Sequence, residues 1–87
     1  MAGSPEAALE ATLRALRRSL AEQGGVPNYV IFADRTLYDL IDRKPASEAE
    51  LLEVFGMGRI KAARFGPEIL DAIRRSGSPS SPAFPGT

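Results

Sequence analysis

Apolar residues recur along most of this chain at helical spacing, and that restricts it to an all-α fold. Leu9, Leu13, Leu16 and Leu20 fall at i, i+4, i+7 and i+11, which sets them on one stripe of a helix. Ser4 can cap this helix, Pro5 can begin it and Gly24-Gly25 can end it. Arg14, Arg17, Arg18 and Glu22 fall off the stripe and are expected on its solvated face.

One apolar run lacks the period. Val26-Pro27-Asn28-Tyr29-Val30-Ile31-Phe32 has the composition of a strand, but the chain offers no second strand to pair with it, and a lone strand leaves its backbone unsatisfied. It is read as a turn of tight helix or an extended connector, pinned in the core by Val30, Ile31 and Phe32. Asp34 then reads as the N-cap of a helix from Arg35 to about Arg43, with Leu37, Leu40 and Ile41 inward and Lys44-Pro45 closing it. Ser47 and Glu50 form a capping box for a further helix that ends at Gly56, its Leu51, Leu52, Val54 and Phe55 facing the core. Gly58 starts the last helix, where Ile60, Ala63, Ile69, Leu70 and Ile73 keep the spacing through Arg75. Gly66-Pro67 interrupts that spacing and predicts a bend. The sum is a compact bundle of four helices and a short helical connector, five helices in all, with no sheet.

Length and composition bound what such a bundle can do. The 87 residues include no cysteine and no histidine, which excludes Ser-His-Asp and Cys-His nucleophiles, thiol redox pairs and structural zinc. No catalytic residue, cofactor or metal is expected, and the chain reads as a non-enzyme. A domain this small buries only about 60% of its unfolded surface, so binding on the outside is favoured over a deep pocket. No apolar run approaches the roughly 18 residues of a membrane span, and the N-terminus lacks the regions of a secretory signal. The expected location is the cytoplasm, with nucleoid association in a bacterium. All 22 charges lie between Glu6 and Arg75. Residues 1–4 therefore read as a chain start or expression scar, 5–75 as the folded domain, and 76–87 as a disordered tail rich in Ser, Pro and Gly.

Eleven basic residues balance eleven acidic ones, so attraction for a polyanion must come from a local patch. The acids themselves suggest no chemistry. Asp34 is read as a cap, Asp39 and Asp42 stand at pairing distance from Arg35 and Arg43, and Glu48 and Glu50 occupy a helix first turn where negative charge is favourable.

The segment Leu51 to Phe65, LLEVFGMGRIKAARF, carries the strongest functional signal. Gly56, Met57 and Gly58 form a corner that opens a helix bearing Arg59, Lys61 and Arg64. Glycines let a ligand approach the backbone, the amides of a helix N-terminus carry partial positive charge, and three cations follow. A nucleic-acid phosphate is the expected guest. The same glycines also suit a tight helix corner with Met57 plugging the core.

Gly56-Met57-Gly58 followed by Ala62 is similar to a helix-hairpin-helix DNA-binding element, over about twenty residues. A longer resemblance takes in Val26, Pro27, Tyr29, Val30, Ile31, Phe32, Asp34, Leu37, Pro45, Ser47, Leu51, Leu52, Gly56, Gly58, Lys61, Phe65 and Gly66. In these residues, with Leu9 to Leu20 as its first helix, the chain resembles the HRDC domain shared by RecQ-type helicases and RNase D.

The resemblance implies a five-helix bundle and an accessory module that contacts single-stranded or branched DNA, or RNA in the ribonuclease context, and tunes an attached enzyme. It implies base stacking by Tyr29 and phosphate contact by Lys61. The expected interface is then Tyr29, Gly56, Met57, Gly58, Arg59, Lys61 and Arg64, extended by Arg17 and Arg18 if the first helix lies alongside. The expected partners are weakly bound single-stranded or junction DNA and the helicase core of the same chain, with the domain a monomer. Zero net charge also supports a rival role, docking on the helicase core or another protein with little DNA affinity.

Overall fold

The computed structural model describes residues 5–77; Ser4, with the rest of segment 1–4, and segment 78–87 lie outside it. Five helices follow in order: α1 (Pro5–Gly24), α2 (Asn28–Ile31), α3 (Asp34–Arg43), α4 (Glu48–Leu51) and α5 (Arg59–Gly77). No strand occurs among the described residues, as the lone apolar run required. The two long helices, α1 and α5, pack most extensively on each other; α2 and α3 pack on α1, and α4 packs on α5. Ser76, the residue after the last charged one, is still helical, and its Oγ donates to Thr12 Oγ1 across the α1–α5 contact at 2.7 Å.

Leu9, Leu13, Phe32, Leu37, Leu40, Leu51 and Ile69 are wholly buried. Each such side chain contributes about 1.5–3 kcal/mol, whereas the exposed helical pairs Arg14–Glu10, Arg43–Asp39 and Arg74–Asp71 contribute about 0–1 kcal/mol each. The fold is therefore held by its core.

The buried face of α1 differs from the leucine stripe. It runs Leu9, Leu13, Arg17, Ala21, with Leu16 and Leu20 only partly covered. Arg17, expected in solvent, retains 6% exposure. Its Nη1 donates to the Phe32 carbonyl at 3.0 Å and pairs with Asp34 Oδ1 at 3.0 Å, and the guanidinium lies 5.5 Å from the Phe32 ring centroid. Its Nε is buried with no hydrogen-bond partner among the described residues. The geometry explains a second departure. Asp34 is not the cap of α3: the Ala33 carbonyl accepts the first helical bond, from the Leu37 N–H, while the Asp34 carboxylate faces Arg17.

Ile31 and Phe32 anchor α2 as expected, but Val30 faces solvent. A four-residue helix can bury only one side, and Ile31 occupies it. Helix α4 ends at Leu51, five residues before Gly56. Ser47 Oγ accepts from the Glu50 N–H at 3.2 Å, and Glu50 Oε1 accepts from the Ala46 N–H at 2.8 Å, so the capping box is present. Because the chain turns after Leu51, only Leu51, Val54 and Met57 point inward, and Leu52 and Phe55 are exposed. Helix α5 is continuous across Gly66-Pro67; a Cβ on Gly66 would meet Leu51 Cδ2 at 3.2 Å, so glycine there permits the close α4–α5 approach. Ala62, Ile69, Ala72 and Ile73 form the inner face of α5 and Leu70 is partly covered, whereas Ile60 and Ala63 are exposed.

Replacing Asp34 with alanine should leave the Arg17 charge buried without its counter-ion and destabilise the domain by about 1–3 kcal/mol. Arg17→Met, which removes the charge and keeps the packing, should cost less than Arg17→Ala. Urea denaturation of the three variants checks the order; equal losses for Met and Ala would show that the stem of Arg17 contributes nothing.

Candidate nucleic-acid interface

The corner between α4 and α5 is built from short turns. The Val54 N–H donates to the Leu51 carbonyl and the Met57 N–H to the Val54 carbonyl, both at 3.0 Å. Asp39 of α3 fastens the corner from outside: its Oδ2 accepts from the Phe55 N–H at 2.8 Å and from Arg43 Nε at 3.0 Å. The Phe55 backbone bond, then Arg43, holds the Asp39 carboxyl below its ordinary acidity range. Gly56 is required for shape. Its φ of 74° is left-handed, and a Cβ would stand 2.7 Å from Thr36 Oγ1. Met57 is buried and plugs the core. Of the two corner glycines, Gly58 alone has open space where a side chain would project. The Gly58 carbonyl accepts from the Ala62 N–H at 2.9 Å, which leaves the amides of Arg59, Ile60 and Lys61 without intrahelical partners.

The distribution of ion pairs separates the cations. Arg14, Arg17, Arg43, Lys44, Arg74 and Arg75 each face a carboxylate. Among the described residues none lies within ion-pair distance of Arg18, Arg35, Arg59, Lys61 or Arg64, and the last three follow one another at the start of α5. Arg59 and Arg64 are exposed and Lys61 is half-buried; the Arg64 guanidinium rests 5.2 Å from the Phe65 ring centroid. A neutral molecule thus keeps three uncompensated cations on the first turn and a half of α5.

A groove joins this helix start to α2. It is lined by Val26, Val30 and Ile31 on one side, by Ile60, Lys61, Arg64 and Phe65 on the other, and by Leu20 and Gly24 of α1. Tyr29, on the same short helix as Val30, is 70% exposed. The structure therefore gathers Lys61 and Arg64 around a groove whose α2 wall belongs to the helix carrying Tyr29. It leaves out two residues of the expected extension. Arg17 is inside the protein, held by Phe32 and Asp34, and Arg18 lies on the outer face of α1 in a depression with Ala11, Ala15 and Glu22. Neither borders the groove.

The sequence reading missed the groove's apolar walls, Val26, Val30, Ile60 and Phe65. The phase of Ile60 was a usable signal: at about 100° per residue it stands roughly half a turn from the stripe of Ala62, Ile69 and Ile73.

The fold and this corner define a small helical module of the kind attached to DNA helicases, as comparison with known proteins makes specific. The family model of the HRDC domain matches residues 6–73. The solved structure of D. radiodurans RecQ HRDC domain 3 superposes with a TM-score of 0.80 at 42% identity, covering 83% of this chain and 95% of that one. The ATP-dependent DNA helicase RecQ of Haemophilus influenzae is 38% identical over 66 residues, 76% of this chain and 11% of the helicase. That of Bacillus subtilis is 37% identical over 71% of this chain and 10% of the helicase. The ATP-dependent DNA helicase UvrD2 of Mycobacterium tuberculosis is 34% identical over 71% of this chain and 9% of its own length. This chain belongs to the HRDC domain family, the accessory, non-catalytic modules of helicases. It spans about a tenth of the length of these curated relatives.

The lowered acidity of Asp39 predicts a pH signature. A carboxyl whose folded pKa lies below its unfolded one stabilises the fold above about pH 4, and that contribution is lost as pH falls through the folded value. Asp39→Asn should therefore be less stable than the parent at pH 7, with the difference shrinking below about pH 4; thermal melts across pH 3–7 check it, and a constant difference would contradict it.

Proposed function

We propose that this HRDC domain binds single-stranded or branched DNA weakly and regulates the helicase it serves. Arg59, Lys61 and Arg64 contact phosphates, Gly58 and the free amides at the start of α5 lie close to one of them, and Tyr29 stacks on a base. Gly56 and Met57 act through the shape of the corner. The observation that carries this reading is the charge asymmetry at α5: all three cations on its first turns lack carboxylate partners, whereas of the other eight cations only Arg18 and Arg35 do. The parent protein is inferred to be an ATP-dependent DNA helicase of the RecQ type, because the relatives quoted above are DNA helicases. Its place is with the DNA, in the cytoplasm or nucleoid of a bacterium. No helix among the described residues is long and apolar enough to cross a membrane.

Few contacts and no net charge imply a modest affinity. A dissociation constant of about 10⁻⁴ to 10⁻⁶ M, the range of non-specific binding, is expected for the domain as a monomer, and three phosphates on a single strand give a salt slope of about −2.

A second reading, docking on the helicase core, is favoured by the α3 face. There Arg35 lies 4.0 Å from the ring centroid of exposed Phe55, and Arg14 Nη2 donates to the Tyr38 hydroxyl at 2.9 Å. Asp39, Arg43 and Glu53 share the same shallow depression. Aromatic and arginine side chains of this kind are enriched in protein interfaces, and the acids disfavour a polyanion.

Anisotropy titration of labelled oligothymidylate and junction DNA at low salt tests the first reading. Tyr29→Ala should bind about 5- to 150-fold more weakly, the equivalent of one stacked base, and Lys61→Ala should reduce the salt slope by about 0.7. Unchanged binding in both variants would overturn the assignment. If the doubly substituted domain still altered unwinding by its helicase core, docking would be the better reading.

A further inference from the structure

The groove between α2 and α5 has a property that phosphate binding does not require. Its walls are apolar, with Val26 and Val30 facing Ile60 and Phe65, yet its charged members are both cations, Lys61 and Arg64, and no carboxylate lines it. Ile60 is 76% exposed between Arg59 and Lys61. A single exposed isoleucine needs no explanation. Three exposed apolar side chains on the two helices that form one acid-free groove, Tyr29, Val30 and Ile60, are a concentration that does.

We propose that this groove seats one unpaired nucleobase, next to the base stacked on Tyr29. The inference rests on the nucleic-acid reading above and adds to it a base subsite and Ile60 as a binding residue. Charge argues for this occupant. An uncharged apolar segment would gain nothing from two unpaired cations and a helix N-terminus at the rim, whereas a single strand offers flat apolar bases alternating with phosphates. Size agrees. The groove's volume of about 260 Å³ is just under the roughly 300–1,000 Å³ of sites for drug-sized ligands, which suits one ring system. In a duplex the base faces are stacked on one another, so only its phosphates could be engaged.

The test uses the full 87-residue chain and two probes of equal length and phosphate charge, oligothymidylate and an oligonucleotide of abasic residues. Stacking on Tyr29 also favours bases, so the comparison is made in a Tyr29→Ala background. There the domain should still prefer oligothymidylate to the abasic strand, and adding Ile60→Ser should lower oligothymidylate binding at least about fivefold while leaving the abasic strand unaffected. Val30→Ser should act in the same direction. All three side chains are exposed, and circular dichroism verifies that the variants remain folded. If Ile60→Ser and Val30→Ser leave oligothymidylate binding intact while Lys61→Ala weakens binding to both probes, the base seat is wrong and phosphate contact stands. If neither probe binds the unsubstituted domain at millimolar concentration, both readings fall.

Discussion

The Arg17 guanidinium holds three parts of this chain at one point. It projects from the middle of α1, takes the Phe32 carbonyl at the end of α2 and faces the Asp34 carboxylate at the start of α3. A carbonyl between two short helices has no regular partner, and leaving it buried and unbonded costs about 1–3 kcal/mol. Arginine suits the position because its stem packs among apolar neighbours while its planar head bonds a carbonyl and a carboxylate together. Asp34 remains largely in water, so the pair avoids much of the desolvation that makes a fully buried pair unfavourable.

This anchor has a functional consequence. Helix α2 is four residues long and cannot hold its own orientation; its position comes from Ile31 and Phe32 in the core and from Arg17 beneath the Phe32 carbonyl. With that end fixed, Val30 lines the groove beside the start of α5 and Tyr29, next to it, projects into solvent. On α5 the corresponding work is done by Asp39 and Gly56. Asp39 bonds the Phe55 amide, and Gly56 lets the turn pass close to Thr36. The candidate interface is thus two outward-facing helix segments, each set by a residue that does not border the groove.

Much of the architecture could be read from the sequence, because helical period, Pro5 at the start of α1, Gly24 at its end and the Ser47–Glu50 capping box are local signals and the structure keeps them. Two of the errors share one cause. A stripe of leucines at 9, 13, 16 and 20 shows which residues are most apolar, but Arg17 enters the core through a carbonyl 15 residues away, and spacing along one helix does not encode such a partner. Asp34 follows from the same omission: it has the chemistry of a cap, and only the position of Arg17 shows where its carboxylate goes. Leu52 and Phe55 were assigned inward by extending α4 past Leu51, where turns replace the helical phase. Lys61 and Arg64 were legible as cations on a helix start, whereas their lack of carboxylate partners depends on where eleven acids lie in space. The apolar groove beside them depends on α2 meeting α5, a contact between segments about thirty residues apart.

The central claim is that α2 and the start of α5 together form the surface that meets nucleic acid. Amide chemical-shift mapping during titration with a short single strand tests it most directly. The account predicts perturbations clustered at Tyr29 to Ile31 and at Gly58 to Phe65, with Arg35, Tyr38 and Phe55 unaffected. Perturbations centred on the α3 face, with α2 and the first turns of α5 silent, would contradict it.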